Sequence, residues 1–370
     1  KYRLQVVAYG RCDTTAGSEM TFTTGQLPAD LPQYVASGSD SSGGFVVMAA
    51  GQFGLVIDNT GRVVWYRRFP SGPGLNFQAQ PVFGGRYVAR PPTAATQQGV
   101  VVELDPLGAE TRRITCAEGL QPRFHDMIAQ PDGSYWLLCD QTETVNLANI
   151  GGNEAAQVTG TAIQHVNAKG DLLFSWSPFG YFSILDLDAS DRNGSSVNWT
   201  HGNAFDIDTD GNLIASFRSL NEITKIDSRT GDVLWRMGGK ANEFTFEGNA
   251  SAPFARQHGV RVVGRGEIVL LDNLGVPSES RAERYVYDEA QRWARLEASY
   301  SSQPAIVAQL GGTTQDLPGG RTLVAFGNGG RVEEYDASGN VVWRIEGNPG
   351  YVYRAQRIRS LYSPGVGSRR

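Results

Sequence analysis

The sequence predicts an all-β chain: a six-bladed β-propeller of four-stranded antiparallel blades, preceded by a short N-terminal β segment. Three observations predict it. An apolar strand, an Asp or Asn, a short turn and a second strand recur six times. Each copy follows another strand–turn–strand pair. No segment carries a convincing helical apolar period.

The six copies are LVIDNTGRVVWY (55–66), VVELDPLGAETRRI (101–114), IQHVNAKGDLLFSW (163–176), ITKIDSRTGDVLWRM (223–237), ERYVYDEAQRWARL (283–296) and VEEYDASGNVVWRI (332–345). Asp58, Asp105, Asn167, Asp227, Asp288 and Asp336 hold the turn position. Short polar side chains there bond the turn backbone and tolerate unusual φ. The second and fifth copies lack the Gly-then-Trp form. Trp65, Trp176, Trp235 and Trp343 are expected to pack between blades. The preceding pairs are clearest in FQAQPVFGGRYVA, HDMIAQPDGSYWLL, NAFDIDTDGNLIASF, HGVRVVGRGEIVLL and TTQDLPGGRTLVAF. The expected divisions are an N-terminal β segment and linker over 1–30, the propeller over 31–346, and a tail over 347–370 that packs on or closes the ring.

Composition is that of an ordinary globular chain. It has 370 residues, 40% of them hydrophobic and 19% charged. A net charge of −5 excludes a broad nucleic-acid surface. No apolar run reaches the ~18 residues of a membrane span. Cys12, Cys116 and Cys139 leave open either one disulfide with a leftover thiol or three free thiols. No CxxC occurs, which argues against a cysteine zinc site. Asn193-Gly-Ser, Asn198-Trp-Thr and Asn249-Ala-Ser match the glycosylation triplet.

Candidate site residues emerge from a repeated frame. His125, Asn203 and His258 each stand eight residues before a turn glycine, Gly133, Gly211 and Gly266. His201 lies two residues before Asn203, on the same strand face. In a propeller the first strand of each blade lines the channel, so these side chains converge at one mouth. Arg218 returns beside Asn203 across the hairpin, and Asp140 and Asn273 hold the corresponding return positions. Thr313, Thr314 and Gln315 lie near the same rim. Asp126 is expected to serve packing or a turn, and His165 to be structural in an outer hairpin. Imidazoles, a guanidinium and an amide suit a compact oxyanion. Without paired carboxylates a glycosidase is unsupported, and without GxSxG so is a lipase-type serine.

At these residues the chain resembles the bacterial arylsulfate sulfotransferases, which move a sulfuryl group without the nucleotide donor PAPS. The resemblance is strongest over 123–346, above all in WTHGNAFDIDTDGNLIASFRSLNEITKIDSRTGDVLWRMGGKANEF, QHGVRV and TTQDLPGGRTLV. It implies that His258 takes the sulfuryl group as a covalent sulfohistidine. It implies that His125 binds sulfuryl oxygens or handles the phenol proton, that His201 and Asn203 hold the group, and that Arg218 neutralises it. Thr313 and Thr314 are expected to bind substrate. No cofactor and no metal are expected. The partners implied are an aryl sulfate donor and a phenol acceptor, with homo-oligomerisation left open. A periplasmic or secreted location follows from the resemblance, and the start at Lys1 in place of methionine is expected to reflect a removed leader. Ping-pong kinetics are expected. The alternatives are hydrolysis, metal-dependent lyase chemistry with His125, His201 and His258 as zinc ligands, and a non-catalytic binding propeller.

Overall fold

A computed structural model of the chain describes residues 2–38, 41–69, 76–80, 87–89, 99–248, 253–346 and 350–361. The turn at 81–86, the Asn249 triplet and the tail beyond 361 therefore lie outside the described residues. The chain divides into two compact units, Lys1–Pro32 and Gln33–Arg370. The first holds two short antiparallel pairs, Tyr2–Leu4 with Met20–Phe22 and Val7–Tyr9 with Thr14–Ala16.

The second unit is all-β and has a β-propeller arrangement. Its described helices are three-residue 3₁₀ turns. Its sheets vary in strand count: three have four strands and three have five. The extra strands are Ser196–Asn198 and Thr245–Glu247, which pair in parallel, and Val35–Ser37. The innermost strands are Gln78–Ala79, Gln121–Ala129, Gly202–Ile207, His258–Gly264, Thr313–Leu317 and Ala355–Ile358. From the second to the last they neighbour one another in chain order, and Ala355–Ile358 comes back against Gln78–Ala79. Across the remaining junction the Gln78 amide donates to the Met127 carbonyl.

Two exchanges join the ends of this unit. Ala355–Ile358 pairs antiparallel with Phe45–Ala50 and becomes the inner strand of the first sheet. Val35–Ser37 pairs with Val341–Glu346 and becomes the outer strand of the last. Which segments close the ring was not readable from the sequence, because neither has a distinctive pattern.

The turn residues behave as their chemistry requires. Oδ1 of Asp58, Asp105, Asn167, Asp227, Asp288 and Asp336 each accepts two backbone N–H groups of its own turn. The tryptophans clasp the next sheet. The Trp65 indole donates to the Pro106 carbonyl, Trp235 to the Glu289 carboxylate and Trp343 to the Asn59 carbonyl, the last linking the final sheet to the first. Where the motif lacks its Trp, other side chains substitute. Arg112 donates to Gly133 and Ala168 carbonyls of the third sheet, and Tyr300 packs on Tyr335 of the sixth. A disulfide between Cys116 and Cys139 ties the segment after Glu110–Ile114 to the third sheet, while Cys12 is free and exposed. Closing a loop of that length contributes about 3 kcal/mol in the chain-entropy picture.

Trp343 is almost fully buried. Truncating it to Ala should cost ~3–5 kcal/mol of stability, read from chemical denaturation. A loss below ~1 kcal/mol would mean that this clasp does not hold the first and last sheets together.

Candidate active site

The site is built where the innermost strands of the third, fourth and fifth sheets begin. Each strand slips register there: between Pro122 and Met127, between Gly202 and Ala204, and between His258 and Arg261. Such bulges break the ladder locally and re-aim side chains. Two residues sit in the left-handed region at the same place in the frame, His201 with φ 49° and Arg256 with φ 54°. Holding a non-glycine residue there costs ~1–3 kcal/mol and is met at functional sites. The glycines after His201 and His258 are packing requirements. A Cβ on Gly259, itself at φ 66°, would lie 2.9 Å from Thr313 Cα, and one on Gly202 would lie 2.7 Å from the Thr161 side chain.

The sequence-predicted residues come together around a side chain that the sequence reading missed, Tyr353. The His125 and His201 rings are 5.0 Å apart, centre to centre. Tyr353 stands edge-on to both His125 and His258, at 5.7 and 6.4 Å. Its hydroxyl donates to the Asn203 carbonyl at 3.3 Å. Tyr353 arrives from the tail, just before the closing strand, where no repeat signalled it.

Hydrogen bonds fix the imidazole protons. Asn273 donates its amide to the carbonyls of Ala308 and Gly311, so its Oδ1 must accept from His258 Nδ1, 2.8 Å away. Neutral His258 therefore carries its proton on Nδ1 and a lone pair on Nε2. That lone pair rests on the Gly311 N–H at a long 3.3 Å. His201 is the opposite case. Asn198 donates to its Nδ1 at 2.5 Å, which leaves the ring proton on Nε2 as a donor. Burial holds both rings unprotonated. It lowers the pKa of His201 to about 2, with Arg123 and Arg218 adding to the effect. It lowers that of His258 to about 4, with Arg218 again opposing a proton.

The hairpin argument put Arg218 beside Asn203; with the register slip it lies opposite His201 instead, its backbone N–H donating to the His201 carbonyl at 3.1 Å. Its guanidinium donates to the Gln309 carbonyl, and its buried Nε has no partner. Asn203 is fully buried. Its amide donates to the Gln257 carbonyl at 2.6 Å and its Oδ1 has no partner. Thr313 lies against Gly259, but its hydroxyl meets the backbone of Ala355 in the closing strand. Thr314, on the alternate face, has a buried hydroxyl without a partner. His165 is remote from the group, stacked on Trp136 and bonded to Ser134. Of the return-position residues, Asn273 orients His258 and Asp140 pairs with Arg123.

Asp126 does not serve a turn. It is buried and pairs with Arg261 of the fifth sheet at 2.7 Å and Arg354 of the tail at 3.0 Å. It also accepts from the Phe205 N–H of the fourth sheet. Its acidic character next to His125 was visible in the sequence; its partners, far away in the chain, were not. Among the described residues no three His, Cys, Asp or Glu side chains are grouped to hold a metal ion.

Residues 98–348 match the model of the arylsulfotransferase family. The chain belongs to that family. Membership supports a sulfotransferase role. No curated protein matches the chain. Among solved structures, one similar chain is a protein of unknown function from Bacteroides caccae. It is 13% identical, covers 85% of this chain and 98% of its own, and has a TM-score of 0.53. A laminin-complex structure containing nidogen (11% identity, coverage 85% and 97%, TM-score 0.49) and a streptogramin B lyase (12%, 84% and 86%, 0.45) are also similar. At such identities the likeness is one of fold. Among the described residues no helix is long and apolar enough to cross a membrane.

The site makes a pH prediction for this arylsulfotransferase-family chain. A nucleophilic imidazole loses activity as pH falls through its own pKa. If His258 is such a nucleophile, the acid limb of kcat/KM falls near pH 4, not near the ordinary histidine value of 6.5. A limb at 6.5 in a pH–rate profile would show that His258 is not the group whose neutral form reacts.

Proposed function

We propose that the protein is a PAPS-independent arylsulfate sulfotransferase working through a covalent sulfohistidine on His258, on a six-bladed ring. Six sheets whose innermost strands succeed one another support the blade count. The observation that carries the mechanism is the fixed tautomer of His258. A neutral ring with Nδ1–H held by Asn273 has only Nε2 to offer as nucleophile.

The chemistry balances in two displacements. The Nε2 lone pair leaves the Gly311 N–H and attacks sulfur. The bond from sulfur to the aryl oxygen breaks, and the phenolate departs with its electron pair. A phenol then enters and its oxygen attacks the same sulfur. The nitrogen–sulfur bond breaks, the electron pair returns to Nε2, and the phenol proton passes to His125, which gives it up to water and so to the released phenolate to close the cycle. Charge on the outer sulfuryl oxygens should build up as in phosphoryl transfer. Arg218 and the Nε2–H of His201 are the donors aimed at it, each worth on the order of 3–4 kcal/mol in such a role. Asn203, fully buried, adds a third polar group, and Thr313 and Thr314 are proposed to line the substrate's approach. No organic cofactor enters these steps. Arg218 would repel a cation, which disfavours the metal-dependent lyase reading.

The Cys116–Cys139 bridge is the kind of bond that persists in oxidising compartments, and we place the protein in the periplasm or outside the cell on that basis. The proposed divisions are residues 1–30, 31–346 and 347–370.

Release of nitrophenol from nitrophenyl sulfate should depend on added phenol and give parallel double-reciprocal lines. His258→Ala should lower kcat by at least ~10³-fold. Phenol-independent release would assign the protein to hydrolysis, and an active His258→Ala variant would remove the mechanism.

A further inference from the structure

Gly311 is held from two directions at the nucleophile. Its N–H meets His258 Nε2, and its carbonyl accepts from the Asn273 amide. Against its Cα lies Tyr351. Resting on the sulfotransfer reading above, we propose that the Tyr351 hydroxyl is the hydrogen-bond donor to the aryl oxygen of the substrate. That is the oxygen that leaves as phenolate in the first displacement and attacks sulfur in the second.

Contacts put Tyr351 there. A Cβ on Gly311, at φ 71°, would lie 2.6 Å from the Tyr351 hydroxyl oxygen, 2.8 Å from its ring and 3.0 Å from the Tyr353 ring. A residue without a Cβ lets both tyrosines pack against this loop. The Gly312 N–H donates to the Tyr353 carbonyl at 3.0 Å, which ties the tail segment alongside. The Tyr351 and Tyr353 rings stand at 90° with centres 6.4 Å apart, and Tyr353 is equally far from His258. Two residues before Gly311, the Gln309 carbonyl accepts from the Arg218 guanidinium at 3.1 Å, so the arginine reaches the same loop.

The direction of attack brings the substrate to this tyrosine. The Nε2 lone pair points at the Gly311 N–H, so sulfur approaches through the space in front of that residue. The bond that breaks lies in line beyond sulfur. The aryl oxygen therefore comes to the Gly311 side of His258, where the Tyr351 hydroxyl stands. That hydroxyl has no hydrogen-bond partner among the described residues. Tyr351 is half-buried, whereas Tyr353 is buried, and the adjoining Gln309 and Leu310 are exposed, so a substrate ring reaches it from solvent. Burial holds its pKa up at about 12 although Arg218 pulls it down, so it keeps its proton and donates. As the sulfur–oxygen bond breaks, charge collects on the aryl oxygen and the hydrogen bond to it strengthens. The proton stays on Tyr351, and the phenolate leaves with the electron pair.

The test is Tyr351→Phe, which removes the hydroxyl and keeps the ring. We measure kcat/KM for aryl sulfates with phenols of graded acidity, from 4-nitrophenyl to phenyl sulfate, with thermal melts to verify folding. The more basic phenolate depends most on the donor. The variant should lose about tenfold on phenyl sulfate, the size of a hydrogen bond to a charged oxygen, and less than about threefold on 4-nitrophenyl sulfate. An equal loss on both, or no loss, would overturn the assignment. Binding of 4-nitrophenol, whose ionisation is read from its absorbance, tests the same donor without turnover. Bound to the wild type it should ionise at lower pH than when bound to Tyr351→Phe. No binding, or equal ionisation in the two proteins, overturns the assignment. A wild type that transfers nothing yet favours bound nitrophenolate through Tyr351 refutes sulfotransfer and keeps the donor.

Discussion

One buried carboxylate organises the centre of this molecule. Asp126 joins the third sheet to Arg261 of the fifth, to Arg354 of the tail and to the Phe205 backbone of the fourth. Arg354 also donates to the His125 carbonyl and to Asn76 beside the second sheet. Desolvated charges of this kind stabilise little by comparison with apolar packing, but removing one partner costs ~3–5 kcal/mol because the others are left uncompensated. The hub ties together strands that are far apart in sequence, immediately beside His125.

The tail makes ring closure and site assembly the same event. The strand that completes the first sheet begins two residues after Tyr353 and one after Arg354. Pairing Ala355–Ile358 with Phe45–Ala50 therefore sets the phenol ring between His125 and His258 and the guanidinium on Asp126. Tyr353 is wholly buried, which pushes its hydroxyl's pKa up and keeps it neutral, so it serves as a fixed wall and donor to Asn203. Around that wall the two imidazoles have opposite tautomers. His201 offers a proton and His258 a lone pair, each set by an asparagine side chain and not by any charged group.

The sequence was most legible where local chemistry repeats. The turn Asp and Asn residues, the outer-strand tryptophans and the spacing of His125, Asn203 and His258 from their glycines each reflect a rule obeyed within a few residues. The β-propeller arrangement followed from them. What stayed hidden depends on contacts between distant segments. Nothing near Tyr353 or Arg354 announces a channel residue, and Asp126 reads as an ordinary strand acid until Arg261 and Arg354 are in place. The Thr313 hydroxyl illustrates the converse: its position beside Gly259 follows from the repeat, whereas its bond to Ala355 needed the closing strand.

The central claim is that His258 Nε2 becomes bonded to sulfur. The direct measurement is peptide-resolved mass spectrometry of protein quenched with base after mixing with an aryl sulfate and no acceptor phenol. The account predicts a sulfuryl adduct confined to the peptide containing His258, formed as fast as the first phenolate is released and discharged when phenol is added. An adduct on another residue, or rapid phenolate release with His258 unmodified throughout, would contradict it.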